Sequence, residues 1–287
     1  MILGFYTGIR EMMVKQGVES IPEYMKAHGL SRFEYLQSLA THDCLISSTE
    51  QAQKIRALLE EDGLSSDCYS SYVDLFDQNR EDGVGLLCRD ADIASALGCK
   101  YLHHTIRTPF RPGQTPHSYD EVYNEVFPKL VEIIRYARSV GITVIYEPQG
   151  MYFNGIEGFR RLFTSLRTTD GCEHIGVCFD SGNSMFVDCP PLDFLKEFLP
   201  YVKNVHLKDY KILTDAEVFP GRYYTRGGAV IEEMPIGQGD AQIAECVRLL
   251  TESGYNGAYV FESIPTAMGL DCFDGIDLGI KYLKENC

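Results

Sequence analysis

Short apolar, β-branched runs recur along the chain and alternate with helix-like segments from end to end. The runs read as strands at Ile2–Thr7, Cys44–Ser47, Ser66–Ser70, Tyr101–Ile106, Ile142–Glu147, Ile175–Asp180, Val202–Leu207 and Ala258–Glu262, eight in all. Helices fill most of the gaps. Ser48-Thr49-Glu50-Gln51 has the form of a capping box and opens a helix that Gly63 stops. Ser118 with Glu121 opens another that runs to Gly141; Pro128 lies within it, so this helix either kinks there or begins late. Asp240, after Gly239, starts a helix ending near Gly254, and Gly275–Glu285 forms the last.

Strands alternating with helices imply a parallel sheet covered by helices. Eight such units over 287 residues predict an α/β fold of one domain, a (β/α)8 TIM barrel spanning 1–287. The competing arrangement is a doubly wound open sheet, but no G-x-G-x-x-G follows the first strand to favour a dinucleotide fold. The stretch 211–235 is too long for a simple connection. It reads as a loop insertion after strand seven on the catalytic face, with Arg222, Tyr223, Tyr224 and Arg226 among Gly221, Gly227 and Gly228.

The last four strands each end in an ionisable residue: Glu147, Asp180, His206 and Glu262. In a (β/α)8 barrel the chemistry sits at the C-terminal ends of the strands, and strands five to eight are neighbours on the ring. Three carboxylates and an imidazole brought together would repel or neutralise unless a cation joined them. Mostly hard oxygen donors with one nitrogen suit Mn²⁺ first, with Mg²⁺, Co²⁺ or Zn²⁺ as alternatives. Taken singly, each residue has an ordinary reading. Glu147 before Pro148 is a strand end in solvent, Asp180-Ser181-Gly182-Asn183 a turn or helix cap, His206 a core histidine and Glu262 a cap for the next helix. The four together carry the case.

Composition narrows the partners. A net charge of −15 argues against a phosphate-backbone partner, so no nucleic acid is expected. No run approaches the length of a membrane span, and the start Met1-Ile2-Leu3-Gly4-Phe5 lacks the basic and apolar regions of a signal peptide. A cytoplasmic protein is the expectation. The 10 cysteines form no C-x-x-C pair and read as reduced, mostly buried thiols.

The segments Tyr146-Glu147-Pro148, Phe179-Asp180-Ser181-Gly182-Asn183, Asn204-Val205-His206-Leu207-Lys208-Asp209, Pro235-Ile236-Gly237-Gln238-Gly239-Asp240 and Phe261-Glu262 resemble those of the xylose-isomerase-like barrel superfamily. That group includes sugar phosphate isomerases and epimerases, ketose 3-epimerases and type IV endonucleases. The resemblance implies a Glu-Asp-His-Glu metal site at Glu147, Asp180, His206 and Glu262. It also implies a small carbohydrate substrate held by adjacent oxygens. Glu147 and Glu262 would face each other and exchange a proton with carbon through a metal-stabilised cis-enediolate. A lyase or dehydratase acting on a keto-sugar or C-glycoside shares the step of proton abstraction next to a carbonyl. A non-catalytic sugar-binding protein is a further alternative. Many barrels of this type form homo-oligomers, but no patch for one is legible.

Departures limit the substrate. Ketose 3-epimerases place His, Glu and Arg where this chain has Asn183, Phe153 and Ile212. Type IV endonucleases carry extra histidines, whereas Lys208 follows His206 here and His42 falls at the wrong end of its strand. Period two puts Lys208 on the same face as His206, so Lys208 is expected in the pocket. Of His103 and His104, His104 is slightly favoured as the inward residue because it lies nearer the strand end. Tyr6, Asn183 and Arg222 complete the expected substrate contacts, Arg222 as a clamp for a phosphate or carboxylate.

Overall fold

The computed structural model describes all residues except 6–16, 18, 39–45, 77–82, 107–116, 215–221, 263–267 and 271. Eight parallel strands close into a barrel: β1 (Ile2–Phe5), β2 (Arg32–Ser38), β3 (Ser65–Tyr72), β4 (Tyr101–His104), β5 (Thr143–Tyr146), β6 (Gly176–Asp180), β7 (Val202–Leu207) and, last in the chain, β11 (Ala258–Phe261). Around the ring they run in chain order, and β11 pairs with both β7 and β1 to close it. The surrounding helices are α1 (Ser20–His28), α2 (Thr49–Glu61), α3 (Gly83–Leu97), α4 (Tyr119–Ser139), α5 (Ile156–Arg167), α6 (Pro191–Phe198), α7 (Ile243–Glu252) and α8 (Cys272–Asn286).

Alternation along each strand sorts the side chains. Leu102, Val144, Val177, Phe179, Val205, Leu207, Tyr259 and Phe261 join helix residues such as Leu130, Phe159 and Phe194 in one large apolar core. Each large side chain buried there contributes roughly 1.5–3 kcal/mol. The alternate residues point to the barrel axis. They form two small apolar groups, Ala258 and Val260 with Ile2 and Leu36, and Cys68, Ile145 and Cys178 with Tyr101. Between these groups lie buried polar residues.

The second strand departs from expectation. It is Arg32–Ser38, not Cys44–Ser47. Residues 44 and 45 lie outside the described residues, and Ile46 and Ser47 are not in a strand. Arg32 and Glu34 hide β2 from an apolar-run search because they face an unusually polar axis, where Arg32 pairs with Asp67 at 2.8 Å. Helix α4 keeps its capping box at Ser118 and Glu121 and runs through Pro128. Helix α2 is capped by Ser48, whose side chain accepts the Gln51 N–H.

Helix α7 starts at Ile243, after Gln242 in a left-handed conformation, and Asp240 does not cap it. Instead Asp240 accepts the Ile212 N–H at 2.9 Å and pairs with Lys211. The carboxylate that organises this loop is Asp209, which accepts the N–H groups of Gly237, Gly239 and Ala241 at 2.8, 2.9 and 3.1 Å. A Cβ at Gly239 would sit 2.2 Å from Asp209 Oδ1, so the close approach requires glycine there. The two motifs H-L-K-D and G-Q-G-D are thus halves of one contact.

The segment after strand seven carries a three-stranded antiparallel sheet in the order β8 (Asp209–Leu213), β10 (Val230–Met234), β9 (Arg222–Tyr224). Among the described residues no helix is long and apolar enough to cross a membrane, and eight cysteines are free.

Candidate metal centre

Parallel pairing puts the four strand ends at one level. Asp180 on β6 is in register with His206 on β7, and the Glu262 N–H donates to the Leu207 carbonyl at 3.0 Å. Glu147 follows β5, the neighbour of β6. One ligand atom from each of Glu147, Asp180, His206 and Glu262 lies within 4.8 Å of all the others. His206 Nδ1 is 3.0 Å from Glu147 Oε1 and 2.9 Å from Glu262 Oε2.

Lys208 enters the same site. Its Nζ lies 2.9 Å from Glu262 Oε1, 3.2 Å from Asp180 Oδ2 and 3.3 Å from Asn183 Oδ1. Asp180 also closes its own turn, its Oδ1 accepting the N–H groups of Gly182 and Asn183 at 2.7 and 2.6 Å. The turn reading and the site reading of Asp180 therefore hold together: one oxygen builds the loop and the other faces the cluster.

Histidine parity on β4 resolves against expectation. His103, not His104, faces the axis. Its Nε2 approaches Glu147 Oε2 at 3.2 Å, and its ring lies edge-on to His206 with centroids 5.3 Å apart. His104 shares the outward face with Leu102, stacks edge-on against Tyr146 and holds the Thr105 carbonyl at 3.0 Å. Burial pushes its pKa down to about 4, so it is a neutral packing residue. The β4 register against β5, Tyr101 with Thr143 and His103 with Ile145, sets this parity. Arg222 sits on β9 with its guanidinium 2.8 Å from Glu232 on β10, not against the quartet. Tyr6 lies outside the described residues. Phe153 is wholly buried against Tyr119, and Ile212 is 52% exposed on the small sheet.

Below the quartet lies a second layer that apolar-run reading misses. Glu34, 1% exposed on β2, reaches across the barrel to His206, with Oε1 3.0 Å from Nε2. Ser70 donates to the same oxygen, and Asn204 Nδ2 donates to Glu34 Oε2 at 2.7 Å. Ser70 Oγ is also 2.9 Å from His103 Nδ1, which closes a ring through Glu147 and His206. A period-two reading of Arg32-Phe33-Glu34-Tyr35-Leu36 was the available signal, since Phe33 and Tyr35 alternate with the inward residues.

The electrostatics leave a charge unmatched. Burial opposes ionisation of Glu34, yet His206, His103 and Ser70 hold its pKa down at about 2. Burial also opposes the charged form of Glu147, but His103 and His206 keep it well below the usual carboxylate range. Glu262 is lowered against its burial by Lys208 and His206. Asp180 is pushed up to about 7, chiefly by burial, with the charges of Glu147 and Glu262 pushing the same way against the opposing pull of Lys208 and His206. His206 is raised despite burial by the negative groups around it. Glu147 Oε2, Asp180 Oδ2 and Glu262 Oε2 are buried and, among the described residues, lack a well-aligned hydrogen bond, holding only the ion-pair contacts to His103, Lys208 and His206. Three carboxylates and an imidazole crowded together, with oxygens that lack well-aligned hydrogen bonds, fit a divalent cation.

The family described as xylose isomerase-like TIM barrel matches residues 22–285. The chain belongs to this family. An inosose dehydratase from Bacillus thuringiensis (strain Al Hakam) is 25% identical over 149 residues, 50% of this chain and 48% of that protein. The match thus spans about half the length of that curated relative. The fold is shared with 3-keto-D-glucoside 4-epimerase from E. coli, at a TM-score of 0.73 and 17% identity, covering 99% of this chain and 100% of that one. It is also shared with a xylose isomerase-like TIM barrel protein from Mycobacterium smegmatis in complex with magnesium. There the TM-score is 0.67 and the identity 17%, covering 93% of this chain and 87% of that one.

Proposed function

We propose that the protein is a divalent-metal-dependent isomerase or epimerase of a sugar or sugar phosphate. The observation that carries this reading is the convergence of one ligand atom from each of Glu147, Asp180, His206 and Glu262 to within 4.8 Å of one another. Glu147, Asp180, His206 and Glu262 would hold one cation, Mn²⁺ by donor type, with Mg²⁺, Co²⁺ and Zn²⁺ as alternatives. When bound, that cation supplies positive charge for a substrate enediolate.

The chain's own groups do the proton chemistry. Glu147 and Glu262 both reach His206 Nδ1, from β5 and β11 on either side of the β6–β7 pair. One removes the proton next to the carbonyl and the other returns it. Lys208 holds its ammonium between Glu262 and Asp180 with Asn183 beside it, where a substrate oxygen would share it. His103 replaces His104 as the third-side wall of the pocket. The substrate is a small carbohydrate, not a nucleic acid, and no membrane is involved.

Loss of water from a keto-sugar begins with the same proton abstraction, and the partial likeness to an inosose dehydratase favours that as the second reading. Incubation of ketoses, their phosphates and inososes with the Mn²⁺-loaded protein in D₂O, followed by NMR, separates the two. Deuterium at one carbon with the carbon skeleton intact supports isomerisation or epimerisation. Loss of water or a fragment supports the lyase. No exchange into any of them would sink both.

A further inference from the structure

We infer that Glu34 is the positioning residue for His206, fixing which imidazole nitrogen faces the cation site; this rests on the metal reading above. Glu34 is buried on β2, 172 residues away in sequence from His206 on β7. Its carboxylate accepts only. Oε1 takes the Ser70 hydroxyl and the His206 Nε2–H, and Oε2 takes the Asn204 amide. Both ring nitrogens face carboxylates, Nε2 that of Glu34 and Nδ1 those of Glu147 and Glu262; the Nε2–H given to Glu34 makes Nδ1 the nitrogen whose lone pair is offered once a cation takes the place of its proton.

Glu34, His103 and His206 also lie close enough together to hold an ion of their own. The hydrogen bonds decide against that use. Both Glu34 oxygens accept hydrogen bonds, whereas one oxygen each of Glu147, Asp180 and Glu262 lacks a well-aligned one. Glu34 therefore acts on the cation through His206. A buried carboxylate behind a ligating imidazole orients the ring and strengthens it as a donor. Residues on β2, across the barrel from the quartet, thus become part of the metal centre without touching the metal.

Two measurements on the full chain test this. Isothermal titration with Mg²⁺ and with Mn²⁺ gives the affinity, and long-range ¹H–¹⁵N spectra of the metal-free and Mg²⁺-loaded protein report the His206 Nε2–H. Glu34→Gln keeps the shape but swaps one acceptor oxygen for a donor. It should weaken both cations by roughly 10–100-fold and lose the Nε2–H signal, with the circular dichroism spectrum unchanged. Wild-type affinity together with a retained Nε2–H signal in Glu34→Gln would overturn the proposal. Should that variant not fold, Ser70→Ala, which removes one donor holding Glu34 in place, should give a smaller loss in the same direction; wild-type affinity there would count against it. If the wild-type protein bound neither cation, the metal reading would fall. The Nε2–H signal alone would then decide: its loss in Glu34→Gln supports the positioning role, its persistence refutes it.

Discussion

On β6, Val177 and Phe179 pack outward into the main core, while Cys178 and Asp180 point to the barrel axis. On β7 the same split separates Val205 and Leu207 from Asn204 and His206. The two faces of one strand differ in kind. The outward face is mostly apolar on the barrel strands that follow β3, with His104 on β4 an exception, and its role is to hold the helices. The axial face carries four carboxylates, two imidazoles and an ammonium, all buried except the half-buried Glu262: Glu34, Glu147, Asp180, Glu262, His103, His206 and Lys208. Strand pleating lets stability and chemistry be set by alternate residues of the same segment, and a one-residue slip would exchange them.

The comparison breaks first on the axial side. Glu147→Gln and Glu262→Gln should each lower turnover by roughly 10²–10⁴-fold while the far-ultraviolet circular dichroism stays native. Initial rates on whichever substrate shows solvent exchange provide the test, and full activity in both variants would defeat the two-base reading. On the outward side, Phe261→Ala should cost about 3–5 kcal/mol of stability in urea unfolding. The folded fraction should still bind the cation as wild type does, because Phe261 points away from Glu262.

The pH dependence sharpens the division further. Asp180, raised to about 7, carries a proton below that pH that a cation must displace. Cation affinity should therefore fall more steeply as pH drops through 7, while above it only the raised His206 still yields a proton to the cation. Titrations at pH 6 and pH 8, each in two buffers of different ionisation heat, should show more proton release at pH 6. Equal release at both would mean that Asp180 gives up no proton to the cation. The smallest effect belongs to Arg222→Ala, which breaks the pair with Glu232 on the small sheet, away from the quartet. Stability should change by about 1 kcal/mol or less, and turnover should stay where it was.

What the sequence makes legible follows the same two faces. Six of the eight barrel strands announce themselves through their outward residues, such as Val144 and Tyr146 or Val205 and Leu207; the first strand does so as far as Phe5. The quartet is legible because each member closes such a run. β2 is not, because Arg32 and Glu34 on its axial face break the apolar pattern, and Cys44-Leu45-Ile46 offers a more apolar decoy. Losing β2 also hides Glu34, and with it the support behind His206. His103 and His104 are adjacent and identical in type, so only pairing of β4 with its neighbours assigns their faces. The role of Asp209 needed three-dimensional contact as well, since its partners Gly237, Gly239 and Ala241 lie about thirty residues on.

Metal stoichiometry tests the central claim most directly. The protein is stripped with chelator, dialysed against Mn²⁺ and assayed by elemental analysis beside Glu262→Gln and Asp180→Asn. The account predicts one cation per wild-type chain and substantially less in both variants, with all three proteins folded. A wild-type chain that retains no cation, or variants that retain it equally, would contradict it.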